Sequence, residues 1–381
     1  MAHIRLAERL ERRYQTYFAS RPARIPFAVR ELDGSVIRLG AGDPAFTIVV
    51  TDQRGARALA SLDQFSIGVA YLDGWIDIEG DLMAALSIRA MFRDAHPIAW
   101  LRWYVTSDRA AISSHYDNDS EFFLTFLDRR HRCYTQGIFH SDDQSLEDAV
   151  SSKLHAALDA IGVGPGSHVL EVGGGWGAFM QFAARRGIRV TTLTLAQESE
   201  HYLNTLIERE RLPARVVREH ALHFTSPHRF DAIVNMGVTE HLPDYQASLQ
   251  QYATLLRPGG RVYLDALAMR RTERAGSTFL RRFIYPGKSM PLVLHEYLRH
   301  VAESPFELIS VVDDRHNYYL TCAEWARRLD AAKEEVVRRW GEPLYRRFRL
   351  FLWGSAASFD IGMIQAYRWV LHLPPRHAAS G

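Results

Sequence analysis

Val169-Leu170-Glu171-Val172-Gly173-Gly174-Gly175-Trp176-Gly177 carries an apolar strand straight into a glycine-rich turn. Helical spacing follows over Ala178 to Arg186, so the segment reads strand, turn, helix. The alternation continues. Strands are expected at His168 to Val172, Arg189 to Thr194, Ala214 to Arg218, Asp231 to Met236 and Arg261 to Ala266, with a helix over Gln197 to Arg209. Strands separated by helices of this length predict a parallel sheet covered on both faces, an α/β fold with a Rossmann-like core. The turn Arg257-Pro258-Gly259-Gly260 introduces the last strand.

Outward from this core the pattern changes. Arg24 to about Asp81 holds short β-rich runs, with turns at Asp33-Gly34 and Tyr71-Leu72-Asp73-Gly74 and a strand at Phe46 to Val50. This predicts a small α+β module. Leu82, Leu86, Ile88, Met91 and Phe92 fit one apolar stripe, so a single linking helix is expected from Leu82 to Val105. The expected domains are residues 1–108 and 109–381. From Cys322 to Leu373 the chain reads as mostly helical and rich in arginine and aromatic residues.

At 381 residues and 47% hydrophobic content the chain can bury a large core and more than one folding unit. Lysine plus arginine total 46 against 44 for aspartate plus glutamate, a balance that gives no global signal for nucleic acid. Cys133 and Cys322 lie far apart without a Cys/His ligand spacing, which argues against disulfides and against a metal site. Charge interrupts every apolar run at the N-terminus, and no later stretch is long enough to span a bilayer. A cytoplasmic protein is expected, touching the inner membrane face at most peripherally.

Glycines 173, 175 and 177 let backbone approach a ligand and aim helix N-terminal amides at a polar group. Their G-x-G-x-G spacing favours S-adenosylmethionine over a dinucleotide. Glu171 can receive the cofactor's amino group or, alternatively, cap the helix that follows. The strand end Thr191-Thr192-Leu193-Thr194-Leu195 would reach the ribose at the carboxyl edge of the sheet.

Along nearly its whole length the sequence resembles the cyclopropane-fatty-acid synthase family, in its longer bacterial form with an extra N-terminal domain. Asp73-Gly74-Trp75 and Glu79-Gly80-Asp81-Leu82 resemble that extra, lipid-binding-like domain. His115-Tyr116-Asp117, Phe122-Phe123, Ser145 to Ala149, Lys153-Leu154, Glu240-His241, Tyr285-Pro286-Gly287, and Phe348 to Leu352 with Phe359 follow in the family's order. The resemblance implies a class I S-adenosylmethionine-dependent methyltransferase that transfers methyl to a carbon-carbon double bond of an unsaturated acyl lipid. The product would be a cyclopropane or a methyl-branched chain. A C-methyltransferase acting on an isoprenoid or polyketide intermediate and a non-catalytic lipid-binding homologue are the alternatives. A homodimer is compatible with the resemblance.

Cofactor contacts implied by the resemblance are Tyr134, Thr135, Glu171, Gly173, Gly175, Gly177, Thr194, Leu195 and Ala221. Ala196 replaces a serine, and Ser199 a common glutamine. Typical members look as though they hold bicarbonate with a cysteine, a glutamate, a histidine, a tyrosine and a backbone amide. In this chain Glu240 and Tyr318 keep the glutamate and tyrosine, whereas Gln136 replaces the cysteine, with Cys133 nearby, and Asp265 replaces the histidine. An aspartate beside Glu240 opposes an anion by ~4 kcal/mol at intermediate dielectric, which puts bicarbonate in doubt. Asp265 is then a candidate base, or else it points away or pairs with an arginine. Tyr116, Phe122, Phe123, Tyr134, Phe139, Tyr285, Tyr318 and Trp353 are candidate walls for a cationic intermediate, though each by itself reads as ordinary core. Arginines at 270, 271, 274, 281, 282, 338, 339, 346, 347 and 349 would hold anionic headgroups or form solvated faces.

Overall fold

Leu6, Leu10, Tyr14 and Phe18 recur every four residues along α1 (Ala2–Phe18) and are all buried, which makes the charged N-terminal segment an amphipathic helix. The computed structural model describes residues 2–94, 120–270 and 291–375. Two compact units divide the chain.

In the first unit β1 (Phe27–Arg30), β2 (Val36–Leu39), β3 (Phe46–Val50) and β4 (Ile76–Gly80) form a sheet in the order β2-β1-β3-β4, with β1 and β3 parallel. α2 (Gln53–Ser61), α3 (Gln64–Leu72) and α4 (Leu82–Ser87) each start on an aspartate, Asp52, Asp63 and Asp81, whose carboxylate accepts a first-turn amide. The long linking helix is not formed: α4 ends at Ser87, a 3-10 turn spans Arg89–Met91, and Phe92 is extended. Ile88 and Met91 turn into the unit's own core, so their burial is bought by ending the helix. The remainder of the expected helix, beyond 94, lies outside the described residues. Lys333–Ile361 also belongs to this unit, whereas the sequence reading places it in the methyltransferase domain. The helix Glu342–Asp360 packs on α4 and α3, and Arg89 of this unit donates to Ser358 Oγ at 2.7 Å.

The second unit is built on seven strands in the order β10-β11-β9-β8-β5-β6-β7. Its elements are α5 (Ser120–Leu124), α6 (Leu146–Ile161), β5 (His168–Val172), α7 (Ala178–Ala184), β6 (Arg189–Thr194), α8 (Gln197–Glu210), β7 (Ala214–Arg218), β8 (Phe230–Met236), α9 (Tyr245–Leu255), β9 (Leu256–Ala268), α10 (Leu294–Ala302), β10 (Glu307–Asp313), α11 (Arg315–Ala331) and β11 (Gln365–His372). The strands β7, β6, β5, β8 and β9 run parallel, and β5 and β8 are almost wholly buried, as central strands of a covered sheet are. Arg257 to Gly260 bulge out of β9, because Phe230 pairs with Leu256 and Ala232 with Arg261. The C-terminal part is not simply helical. β11 inserts antiparallel between β9 and β10, with Trp369 fully buried beside Tyr297. Among the described residues no helix is long and apolar enough to cross a membrane.

Candidate active site

β5 delivers the glycine turn to the carboxyl edge of the sheet, where the amides of Gly173 and Gly174 donate to Leu193 O at 3.0 and 2.9 Å. Gly173 has φ +87°, and a Cβ on it would stand 2.3 Å from Val238 Cγ2, so the turn and the segment after β8 touch through this glycine. Gly175 has φ +49°, but a Cβ there would meet no atom within 4 Å. The turn is open at that point. Ser199, where a glutamine is common in the family, donates to Gly175 O at 2.7 Å and braces the turn from α8.

Glu171 is buried, and its Oε2 has no hydrogen-bond partner. Burial raises its pKa to about 8, against smaller opposing effects of the Thr192 hydroxyl and the Met180 amide of α7. It therefore touches the following helix and still presents an unsatisfied oxygen. Together with the open face at Gly175, that oxygen fits the S-adenosylmethionine implied by the resemblance. Thr194 Oγ1 accepts from Ala196 N at 3.3 Å, Leu195 is half-buried at the end of β6, and Ala221 O accepts from Gln251 Nε2 at 3.1 Å. Trp176 lies 5.6 Å, ring to ring, from both Phe123 and Tyr202, while Tyr134 lies 5.3 Å from Phe123 and from Trp325. These rings make an aromatic wall beside the turn.

Glu240 follows β8 in the 3-10 turn Thr239–His241, two residues after the Val238 that contacts Gly173. Its Oε1 accepts from Leu267 N at 2.7 Å, and its buried Oε2 has no partner. Burial, with repulsion from Asp265, raises its pKa to about 8. Asp265 stands on β9 opposite Met236 and Arg368, and its carboxylate lies 2.9 Å from Lys153 Nζ, both side chains fully buried. Its partner is thus a lysine and not an arginine. Removing one member of such a pair typically costs ~3–5 kcal/mol, because the other is left buried and uncompensated.

Thr135 and Gln136 join this cluster. Lys153 donates to Thr135 Oγ1 and lies 3.4 Å from Gln136 Oε1, while Gln136 Nε2 donates to Asp314 Oδ2 at 3.2 Å. Asp314 pairs with Arg368, and Tyr318, buried in the first turn of α11, donates its amide to Asp314 O at 2.9 Å. Sequence reasoning uses Lys153 only as a landmark and does not single out Asp314 or Arg368. The signal for Lys153 is its position: it sits in the stripe Leu146, Ala149, Val150, Leu154, Ala157, Ile161, where an apolar residue belongs.

The arginines of the helix Glu342–Asp360 are less available than their number suggests. Arg346 contacts Asp77, Glu342 and Tyr71 O, and Arg349 donates to Tyr71 Oη at 3.0 Å. Trp353 belongs to the same unit as these arginines. Phe122 is fully buried and Phe139 half-buried. His115-Tyr116-Asp117, Tyr285-Pro286-Gly287 and Arg271, Arg274, Arg281 and Arg282 lie outside the described residues. Among the described residues no cluster of metal-ligating side chains occurs.

Comparison with known proteins places this geometry. A probable fatty acid methyltransferase of Pseudomonas putida is 26% identical over 361 residues, covering 90% of this chain and 91% of the relative. Cyclopropane mycolic acid synthase 3 of Mycobacterium tuberculosis is 27% identical over 281 residues, 68% of this chain and 96% of that protein. Among solved structures, the mycolic acid cyclopropane synthase CmaA1 complexed with SAH and CTAB superimposes with a TM-score of 0.65 at 25% identity, over 70% of this chain and 99% of that one. The fold is that of class I S-adenosylmethionine-dependent methyltransferases. Residues 104–369, well over half of the sequence, match the family model for mycolic acid cyclopropane synthetase, and the chain belongs to that family.

Proposed function

We propose that the protein transfers the methyl group of S-adenosylmethionine to a carbon-carbon double bond of an unsaturated acyl lipid. The observation that carries this reading is the contact of the open glycine turn, through Gly173 and Val238, with a turn bearing the buried carboxylate Glu240. Held by this site, the cofactor would supply an electrophilic methyl on a sulfonium, which the alkene electron pair would take while the carbon-sulfur pair stayed on sulfur. Everything else falls to the chain. Glu171 and the glycine turn hold the amino-acid end, and the aromatic wall of Phe123, Tyr134 and Trp325 excludes water and faces the cation left on the acyl chain. Glu240, with Asp265, takes part in removing a proton. Because the relatives include fatty acid methyltransferases and cyclopropane synthases, the acyl chain is the preferred substrate over an isoprenoid or polyketide. Acyl chains of phospholipids sit in bilayers, so the reading brings peripheral attachment at the membrane surface with it.

The test is incubation with S-adenosylmethionine and vesicles of monounsaturated phospholipid, followed by mass spectrometry of the lipid. A gain of one methylene is expected; loss of unsaturation marks a cyclopropane, and retained unsaturation a methyl-branched alkene. Unchanged lipid under conditions of cofactor binding would refute the substrate.

Glu171 makes the binding step pH-dependent. Below about 8 its carboxyl keeps a proton in the free protein, and a cationic amino group favours the ionised form. Binding at neutral pH is therefore expected to release a proton, and affinity to rise with pH until Glu171 is ionised beforehand. Calorimetry in two buffers of different ionisation enthalpy measures the release, and a buffer-independent enthalpy at neutral pH would remove Glu171 from the amino-group site.

A further inference from the structure

Lysines are seldom fully buried unless a fixed anion faces them. Lys153 faces Asp265 at 2.9 Å with both side chains fully buried, and its ammonium holds the carboxylate by charge and by hydrogen bond. The same ammonium also donates to Thr135 and lies beside Gln136 Oε1. Around the pair stand Glu240 from the turn after β8, Asp314 with its partner Arg368 from the start of α11 and from β11, Tyr263 from β9, and Cys133. Asp265 is thus a fully buried carboxylate set between one fixed cation and a second buried carboxyl group, a costly arrangement for a side chain with a structural role only.

The bicarbonate implied by the family resemblance does not fit these residues. A diffusible anion needs an uncompensated cation or a set of free donors. Lys153 already faces Asp265, the Gln136 amide donates to Asp314, and Glu240 brings a second carboxyl group.

We propose that the Lys153–Asp265 pair replaces the mobile anion, with Asp265 as the built-in proton acceptor and Lys153 as the positioning residue that holds it ionised. The inference rests on the methyltransferase reading. Methyl transfer leaves a cation on the acyl chain; an Asp265 oxygen takes a proton from the newly added methyl group, and the carbon-hydrogen electron pair closes the three-membered ring. The positive charge of the acyl cation ends as a proton on the carboxyl group, shared with Glu240 and released to solvent after product leaves.

The experiment compares wild type, Asp265→Ala and the double variant Lys153→Met/Asp265→Ala, with monounsaturated phospholipid vesicles in carbonate-depleted buffer. Wild-type turnover is expected to be the same with and without bicarbonate. Asp265→Ala is expected to lose ~100-fold in kcat with little change in KM for S-adenosylmethionine, and to regain about tenfold on addition of formate or bicarbonate. The small anion refills the space facing Lys153, so the double variant shows no rescue. Formate is also expected to raise the melting temperature of Asp265→Ala, and not that of wild type or the double variant. If Asp265→Ala does not fold, the near-isosteric Asp265→Asn takes its place, with the same loss and no rescue, since the space stays filled. Bicarbonate stimulation of wild type, undiminished turnover of either Asp265 variant, or equal formate stabilisation of all three proteins overturns the proposal. A wild type that binds S-adenosylmethionine but methylates no lipid counts against the substrate reading, and the melting series still decides the pair.

Discussion

The Glu240→Gln enzyme is expected to turn over ~100-fold or more slowly than wild type while binding S-adenosylmethionine with unchanged affinity. The carboxyl group hangs from the Leu267 amide by Oε1 and leaves Oε2 without a partner, next to the charge of Asp265. Repulsion between the two carboxyl groups couples their titration, so Glu240 keeps a proton while Asp265 is charged and can pass it on as Asp265 gains one. Glutamine keeps the shape and the bond to Leu267. Its amide, however, carries no proton that can be handed on. The fold is expected to survive, and its pH response provides a check. With a pKa near 8 in place of an ordinary 4.5, folded Glu240 keeps its proton where the unfolded chain has lost it. Stability contributed by this group therefore falls as pH rises between those values, and the Glu240→Gln protein loses that slope. Single-turnover methylation, calorimetry of cofactor binding and melting against pH measure the three quantities. Wild-type turnover in the variant would leave Glu240 a purely structural role.

Sequence alone reveals the site where chemistry and architecture share one local signal. His168–Val172 and Phe230–Met236 are legible as strands because a covered parallel sheet demands short apolar runs between helices, and the glycine turn is legible because close approach leaves glycine as the residue of choice. Other elements depend on partners distant in sequence. β11, QAYRWVLH, follows a long helix and pairs antiparallel with β9 and β10, so nothing local separates it from a continuing helical region. α1 carries its apolar residues between arginines and glutamates, and only their fourfold spacing betrays it. The linking stripe from Leu82 fits a helix until Ile88 and Met91 find a core beside β1 and β3, and tertiary burial overrides the period. Lys153 shows the same limit at the site. Its place in an apolar stripe marks it as anomalous, but that Asp265 answers it becomes visible only when α6 lies on β9.

The Gly175→Asp protein is expected to fold and to lose measurable affinity for S-adenosylmethionine. The two halves of that expectation come from the same geometry. Gly175 lies at φ +49°, in the left-handed region that aspartate tolerates better than most residues, and a Cβ there meets nothing within 4 Å. The added side chain consequently starts in open space and projects from the open face of the turn. That face is the space the ligand needs, and the new carboxylate also competes for backbone amides that would otherwise meet the cofactor's own polar groups. Backbone strain can be separated from this occupancy within the same molecule. Gly259, in the bulge of β9, has φ +83° and equally open surroundings, yet lies at the opposite end of the sheet's strands from the glycine turn. Gly259→Asp is expected to show a similar small loss in melting temperature with cofactor affinity intact. Calorimetric titration of both variants decides the matter: equal affinities in the two would detach the glycine turn from cofactor binding, and with it the methyl-transfer reading that the turn supports.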